Sequence, residues 1–436
     1  MRTIFLLLLL ACAHRMHAQD FVSVANGKFM LADKPYYFIG ANMWYGCYLG
    51  SDKVKGGRER LIRELDFLKK QGITNLRVLG ASERSAFDNH FPFTIQTAPS
   101  QYDESLLQGL DFLLAEMKKR NMKAVIYLNN YWNWSGGMGQ YVTWVDPEFA
   151  ASVPLNPEKK WEREMTLSAY FYSHHGAQEY FRNYISSLVS RINSFTNVSY
   201  KDDSTIMSWQ LSNEPRPGMD GEQGEKNIHE FMKWIDQTAG YIHSLDSNHL
   251  VSSGNEGKVG TIQKLEYYEQ THASKNIDYL TLHIWAKNWS WFDADKPDET
   301  FPIAKRNALD HLKLHIDLAR KMNKPLVMEE FGLDRDHKNY LPGTSTRMRD
   351  EYFVALFDML FQEASTGAPV GGANVWAWGG EGVPMEKINS TIEASSYVGD
   401  PFVEPQGLNS VFQKDKSTVR ILKKYNDLLG RLLKKQ

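Results

Sequence analysis

Short runs of β-branched and aromatic residues alternate along the chain with stretches whose apolar positions recur every three or four residues, and the alternation persists to the C-terminus. The runs FIGAN, TNLRVLG, KAVIYLNN, TIMSWQLSNE, LVSSGNE, DYLTLHIW, PLVMEEFG and GANVWAW read as eight strands. Most are continuously apolar, as parallel strands covered on both faces are. Between them, Leu61, Ile62, Leu65 and Leu68 mark a helix that Lys69, Lys70 and Gly72 bring to a stop. Leu106, Leu110, Leu113 and Met117 mark a second helix, with Asp103 as its N-cap, and Phe181, Ile185, Leu188 and Ile192 a third. Phe231, Ile235 and Ile242 indicate a fourth, Leu309, Leu312, Ile316 and Ala319 a later one, and VRILKKYNDLLGRLL closes the chain.

Eight strand-then-helix units predict an α/β fold, a single (β/α)8 TIM barrel rather than an open doubly wound sheet. No glycine-rich phosphate loop follows an early strand, which argues against a nucleotide site. Ahead of the first unit, FVSVANGKFMLADKPYYFIG alternates about Asn26-Gly27, a pair suited to a two-residue turn, and predicts a short N-terminal β-hairpin. The longest irregular stretch, GGEGVPMEKINSTIEASSYVGDPFVEPQG, follows the eighth strand and reads as a loop over one end of the barrel.

Composition narrows the partners. The 50 basic and 52 acidic side chains leave a formal charge of -2, so no field gathers nucleic acid, and none is expected as a partner. The opening MRTIFLLLLLA, one Arg before a run too short to span a bilayer, predicts a signal peptide over residues 1–18 cleaved after Ala18, with residues 19–436 as the single mature domain. The expected location is secreted or periplasmic, with no transmembrane segment in the mature chain. The alternative is a lipid anchor at Cys12 in LLAC. Cys47 is the only other cysteine, so the exported domain holds no internal disulfide.

In a barrel of this kind the loops at the C-terminal strand ends converge on one mouth. Asn42 and Trp44, Arg77, Asn129 and Asn130, Asn213 and Glu214, Asn255 and Glu256, His283 and Trp285, Glu329 and Glu330, and Trp376 and Trp378 all fall there. Trp, Asn, Glu and His are an unusual mix for solvated loop ends. Glu214 and Glu330, on strands four and seven, can face one another across the mouth, as glycoside cleavage requires. One carboxyl protonates the leaving oxygen while the other attacks the anomeric carbon or activates water, at about 5 Å for retention or about 6.5 to 9.5 Å for inversion. On a regular strand Glu329 and Glu330 point to opposite sides, so only one faces the mouth. Trp134 and Trp289, among Asn and Gly in loops, suit stacking on further sugar rings, and Trp44 is a weaker candidate of the same kind. No histidine outside this set has a spacing that marks a metal ligand, and neither metal nor cofactor is expected.

The segments LSNEP, HIW, MEEFG and VWAW, on strands four, six, seven and eight, resemble glycoside hydrolase family 5, a retaining (β/α)8 family. GANMWYG, YLNNYWNWSGGM, SSGNEG and HIWAKNWSW resemble its β-mannanase branch more than its cellulases. The resemblance spans essentially the whole mature chain. It implies Glu214 as acid/base, Glu330 as nucleophile, Asn213 on the sugar 2-hydroxyl, Arg77 paired with the nucleophile, His283 beside both carboxylates and Trp376 under the cleaved sugar. Asn129 stands where many members have a His, and Trp285 where a Tyr commonly bonds the nucleophile; Trp285 is therefore assigned to sugar contact alone. The activity implied is a secreted retaining endo-β-1,4-mannanase acting on mannan, glucomannan or galactomannan polysaccharide or oligosaccharide. The alternatives are an endo-β-1,4-glucanase of the same fold, a catalytically silent polysaccharide-binding barrel, and a hydrolase that uses Glu214, His283 and Glu330 as metal ligands.

Overall fold

The computed structural model of the protein describes residues 21–85, 91, 93–385 and 393–432. The expected leader over residues 1–18, with Ala18 and Cys12, lies outside the described residues. Eight parallel strands form the centre: β1 (Phe38–Asn42), β2 (Asn75–Leu79), β3 (Lys123–Tyr127), β4 (Ile206–Gln210), β5 (Leu250–Ser252), β6 (Leu280–Ile284), β7 (Leu326–Phe331) and β8 (Val370–Val375). Their order in the sheet is β5-β4-β3-β2-β1-β8-β7-β6. The remaining seam, between β5 and β6, is joined by the Asp278 N–H to the Val251 carbonyl at 2.9 Å and the Thr281 hydroxyl to the Asn255 carbonyl at 2.6 Å. The result is the (β/α)8 barrel expected from the alternation.

Each strand is followed by a helix that covers it: α1 (Gly57–Lys70), α2 (Glu104–Lys119), α3 (His175–Val189), α4 (Glu222–Leu245), α5 (Leu265–His272), α6 (Pro297–Met322), α7 (Arg347–Ser365) and α8 (Lys416–Leu432). The apolar stripes read in the sequence are the buried faces, with Leu61, Leu65 and Leu68 of α1 and Leu106, Leu110 and Leu113 of α2 all fully buried; the exception is Ile192, which lies beyond the end of α3 and is exposed. Asp103 caps α2 by accepting from the Leu106 N–H at 3.3 Å. Among the described residues no helix is long and apolar enough to cross a membrane.

The N-terminal hairpin turns at Asn26 and Gly27, both at positive φ, as a tight two-residue turn demands. It is larger than expected, because Lys34–Pro35 adds a third antiparallel strand to Ser23–Ala25 and Lys28–Leu31. Val22 and Phe29 pack with Phe38, Val125, Met207, Leu250, Tyr279 and Val327 at or near the strand starts. The small sheet thus plugs the N-terminal end of the barrel and leaves the other end for a site.

Two loops at that other end shape the cleft. Between β3 and α3 the chain makes three helices, Gly137–Val145, Pro147–Ser152 and Lys160–Tyr170, which the strand-and-helix pattern did not separate from α3. After β8, the described part of the long loop is folded around Asp400, whose carboxylate accepts from the backbone N–H groups of Gly407, Asn409 and Ser410. The loop pairs Trp378–Gly380 with Val411–Phe412.

Candidate active site

Strand β4 is continuous and buried as far as Gln210, and the backbone then turns at Glu214, which holds φ of 48°. A glutamate in that left-handed region is uncommon and marks a conformation fixed by its surroundings. The Glu214 N–H donates to the Gly254 carbonyl at 3.0 Å, and its side chain turns into the mouth. Three groups hold the carboxylate. The His283 imidazole lies 2.7 Å from Oε1, the Trp285 indole N–H donates to Oε1 at 3.0 Å, and the Trp132 indole N–H donates to Oε2 at 2.6 Å.

Strand β7 supplies the second acid, through an irregularity. Leu282 of β6 pairs with Met328, but the next residue, His283, pairs with Glu330, so Glu329 is an extra residue in β7. The bulge corrects the expectation that Glu329 and Glu330 face opposite sides. Both carboxylates lie within the barrel, Glu330 at the cleft and Glu329 away from it. Glu329 accepts from the Gln210 amide at 2.7 Å and lies 3.6 Å from Arg77 Nε and 3.9 Å from His283 Nε2.

Arg77, fully buried on β2, ties the two acids' surroundings together. One guanidinium nitrogen donates to Glu330 Oε1 and, at 3.1 Å, to Asn42 Oδ1; the others reach Asn213 Oδ1 at 2.8 Å and Gln210 Oε1 at 2.7 Å. Asn42 in turn donates to the Glu329 carbonyl at 2.7 Å. A planar five-donor fork suits this many acceptors as an ammonium would not.

One oxygen of Glu214 and one of Glu330 lie within 4.8 Å of each other. So close an approach of two carboxylate oxygens suits direct attack by one carboxylate better than an interposed water. His283 Nδ1 stands between them, 3.4 Å from Glu330 Oε2. Burial works against the charged imidazole, but Glu330, Glu214 and Glu329 outweigh it and raise His283 to about 9. Burial would likewise raise Glu214, but His283, Arg216 and the Trp132 N–H hold it down to about 2. Burial, with the Glu214 charge, lifts Glu330 to about 7 against His283 and Arg77. The order is the reverse of that expected for an acid at Glu214 and an ionised nucleophile at Glu330. The cluster shares its protons, and the His283–Glu214 hydrogen bond is where one can move.

The two carboxylates open on a cleft of about 870 Å³. Of the residues singled out in the sequence, Trp134, Asn213, Glu214, Glu256, Trp285, Trp289, Glu330 and Trp376 line it. Trp376 is wedged between Trp285 and Trp134, its ring nearly perpendicular to both, and its peptide bond to Ala377 is cis. Arg77 and His283 act from beneath the wall.

Three expectations are corrected. Trp285 is not confined to sugar contact, because its indole N–H donates to Glu214 Oε1. Trp44 offers no face to a sugar: it is fully buried, stacked on Phe91 at 4.9 Å and surrounded by Tyr48, Trp134, Tyr397 and Phe402, with its indole N–H on the Gly399 carbonyl. Asn129 does not reach the cleft either. Its Oδ1 caps the neighbouring Asn130 N–H at 2.8 Å, and Asn130 is the residue whose Oδ1 accepts from the Asn213 amide at 3.2 Å.

The cleft also holds groups that sequence reasoning missed. Trp132 and Arg216 both act on Glu214, and the Arg216 guanidinium lies over the Trp132 ring at 5.5 Å while pairing with Glu256. Glu164, from the third inserted helix, accepts from the Asn133 N–H and is raised by burial to about 7. Glu404, from the loop after β8, is raised well above the usual range by burial and by the charges of Asp400, Glu330 and Glu214. LNNYW carried a hint of Trp132, but Glu164 and Glu404 sit in segments with no distinguishing pattern. Glu214, His283 and Glu330 also offer one donor atom each to a metal ion, although the Arg77 guanidinium already occupies Glu330 Oε1 and would repel a cation beside it.

The sequence profile of the GH family 5 beta-mannosidase-like group matches residues 19–434. A putative mannan endo-1,4-beta-mannosidase 4 of Arabidopsis thaliana is 30% identical over 380 residues, covering 84% of this chain and 85% of its own. A mannan endo-1,4-beta-mannosidase 4 of Solanum lycopersicum is 29% identical over 373 residues, covering 84% of each chain. The crystal structure of a glycoside hydrolase family 5 mannosidase from Rhizomucor miehei superposes with a TM-score of 0.86 at 33% identity, covering 96% of this chain and all of that one.

Proposed function

The chain belongs to the β-mannosidase-like group of glycoside hydrolase family 5, and on that premise we propose that it is an exported, retaining endo-β-1,4-mannanase that cleaves mannan, glucomannan or galactomannan. The observation that carries the mechanism is the approach of the two carboxylates to within 4.8 Å, which favours double displacement. Glu330 attacks the anomeric carbon while the glycosidic bond breaks and the leaving oxygen takes the proton of Glu214. Glu214 then removes a proton from water, the water attacks the same carbon, and Glu330 is released.

The first step needs Glu214 protonated and Glu330 ionised. A protonated His283 between two carboxylates holds the same number of protons, and transfer along the 2.7 Å bond from Nδ1 to Glu214 Oε1 gives the competent form. Asn213, held by Arg77 and Asn130, is the contact for the sugar 2-hydroxyl, and Trp376, Trp285, Trp134 and Trp289 supply aromatic faces for sugar C–H groups. Export is supported by the leader-like MRTIFLLLLLA, with lipid attachment at Cys12 as the alternative.

A second reading, release of single mannose units from chain ends, is favoured by Pro401, Val403 and Glu404, which the loop after β8 brings into the cleft wall. Digestion of mannohexaose decides between them. Mixed oligosaccharides from the start support endo action, whereas mannose alone supports the exo reading. Proton NMR of the first product with β-configuration supports retention. Turnover of carboxymethylcellulose but not mannan would overturn the sugar assignment, and loss of activity on prolonged chelation would overturn the metal-free mechanism.

A further inference from the structure

A second cavity, of about 630 Å³, opens beside the cleft and shares Trp289 with it. Trp289 and Trp291, from the loop after β6, form one wall, their rings 4.9 Å apart and steeply inclined. Asn307 and Asp310 of α6 and Lys258 and Gln263 from the segment after β5 supply polar groups on the other sides. Below them His311 packs edge-on against Trp289 at 5.1 Å, and burial lowers it to about 2, so it stays neutral. One lysine and one aspartate offset each other in charge. Two indole rings, an amide pair and no net charge suit a neutral polyhydroxylated ligand with apolar C–H faces better than an anion, a cation or a lipid tail.

Continuity identifies that ligand. A chain that passes over Trp289 in the cleft has Trp291 as its next aromatic surface and the exposed edge of α6 beyond it. We propose that this groove is an accessory glycan-binding site, where Trp291, Asn307 and Asp310 hold units of the same polysaccharide outside the catalytic cleft. The inference rests on the reading of the cleft as a β-mannoside site. Because the groove lies beyond the cleft, it contributes to long substrates and not to short ones.

The test compares mannobiose and mannohexaose with the wild type, Trp291→Ala and Asn307→Ala/Asp310→Ala. The double variant alters only the outer face of α6 and leaves its buried stripe intact. Both variants are expected to raise KM for mannohexaose by about fivefold or more, the loss typical when a contributing contact is truncated, while kcat/KM for mannobiose stays within about twofold. Equal losses on both substrates in Trp291→Ala would assign that residue to packing beneath Trp289. No loss on the hexaose in the double variant, together with that result or with an unchanged Trp291→Ala, overturns the site. Calorimetric binding of mannohexaose to Glu330→Ala, with and without Trp291→Ala, separates the two claims. Trp291-dependent binding by a protein that hydrolyses no β-mannoside keeps the groove and sinks the reading of the centre, whereas hydrolysis without Trp291-dependent binding does the opposite.

Discussion

The Nδ1 atom of His283 lies 2.7 Å from Oε1 of Glu214, in a buried hydrogen bond that decides which of the two holds the proton. Catalytic competence needs one proton on this pair and none on Glu330. Glu330 is raised to about 7, so below that pH it is protonated and cannot attack. His283 is raised to about 9, so above that pH the pair loses the proton that the leaving oxygen must receive. The pH profile of kcat/KM is therefore expected to be bell-shaped, with limbs near 7 and 9, and in His283→Gln its alkaline limb is expected to move to lower pH, because Glu214 alone must then hold the proton, with kcat down by about a hundredfold. An optimum near pH 5 would show that the protons are arranged otherwise.

Arg77 donates to Glu330, which the charged His283 also approaches at 3.4 Å, and it holds Asn213, Gln210 and Asn42 as well. Replacing it by Ala strips the buried Glu330 carboxylate of its guanidinium partner, which costs about 3–5 kcal/mol and shows as a large fall in Tm. Arg77→Lys keeps the charge but cannot reach four acceptors in a plane. It is expected to recover much of the stability while kcat remains at least about tenfold low, because Asn213 is no longer fixed. Full activity in Arg77→Lys would mean that charge alone suffices.

How far these residues could be read from the sequence depends on the range of the forces that place them. Alternating strand and helix patterns are local, and they locate β1 to β8 and the covering helices other than α5 and α7, which the pattern left unmarked. Glu214, Glu330, Arg77 and His283 were legible because each ends or lies in an apolar run that only a strand would bury. Trp44 was misassigned for the same reason that made it attractive: an aromatic at a strand end packs equally well on a sugar or on Phe91, and only tertiary contacts separate the two. Asn129 and Asn130 differ by one position past the end of β3, where the side-chain alternation of the strand no longer holds. The β7 bulge that turns Glu329 inward leaves no mark in MEEFG, because register is set between strands and not within one.

That bulge gives Glu329 a role that can be measured. Its carboxylate is 3.9 Å from His283 Nε2 and helps to hold the imidazole charged. Glu329→Gln keeps the size and an acceptor but removes the negative charge, so the His283 proton is lost at lower pH. The alkaline limb of kcat/KM is expected to move down by about one unit, with KM little changed. A merely structural residue would lower kcat or Tm without moving the limb.

Glu83 supplies a prediction about stability rather than turnover. Its fully buried carboxylate bonds the Gly137 N–H and the Gln96 amide, yet burial outweighs these bonds and raises it from 4.5 to about 8. Between those two values the folded state keeps a proton that the unfolded state has released. Folding stability from this group is therefore fully present below about pH 4.5 and is lost as pH rises towards 8, at up to about 1.4 kcal/mol per pH unit. The buried His272, His311 and His315, lowered to about 3, 2 and 4, act with the opposite slope below pH 6.5, so the wild-type curve alone mixes the two effects. Comparison with Glu83→Gln isolates the carboxyl. The amide cannot ionise, and any cost of facing the Gln96 amide is the same at every pH. The urea midpoint of Glu83→Gln relative to wild type is expected to climb steadily from pH 5 to pH 8, whatever its starting offset, and parallel curves over that range would show that Glu83 titrates alike in the folded and unfolded chain.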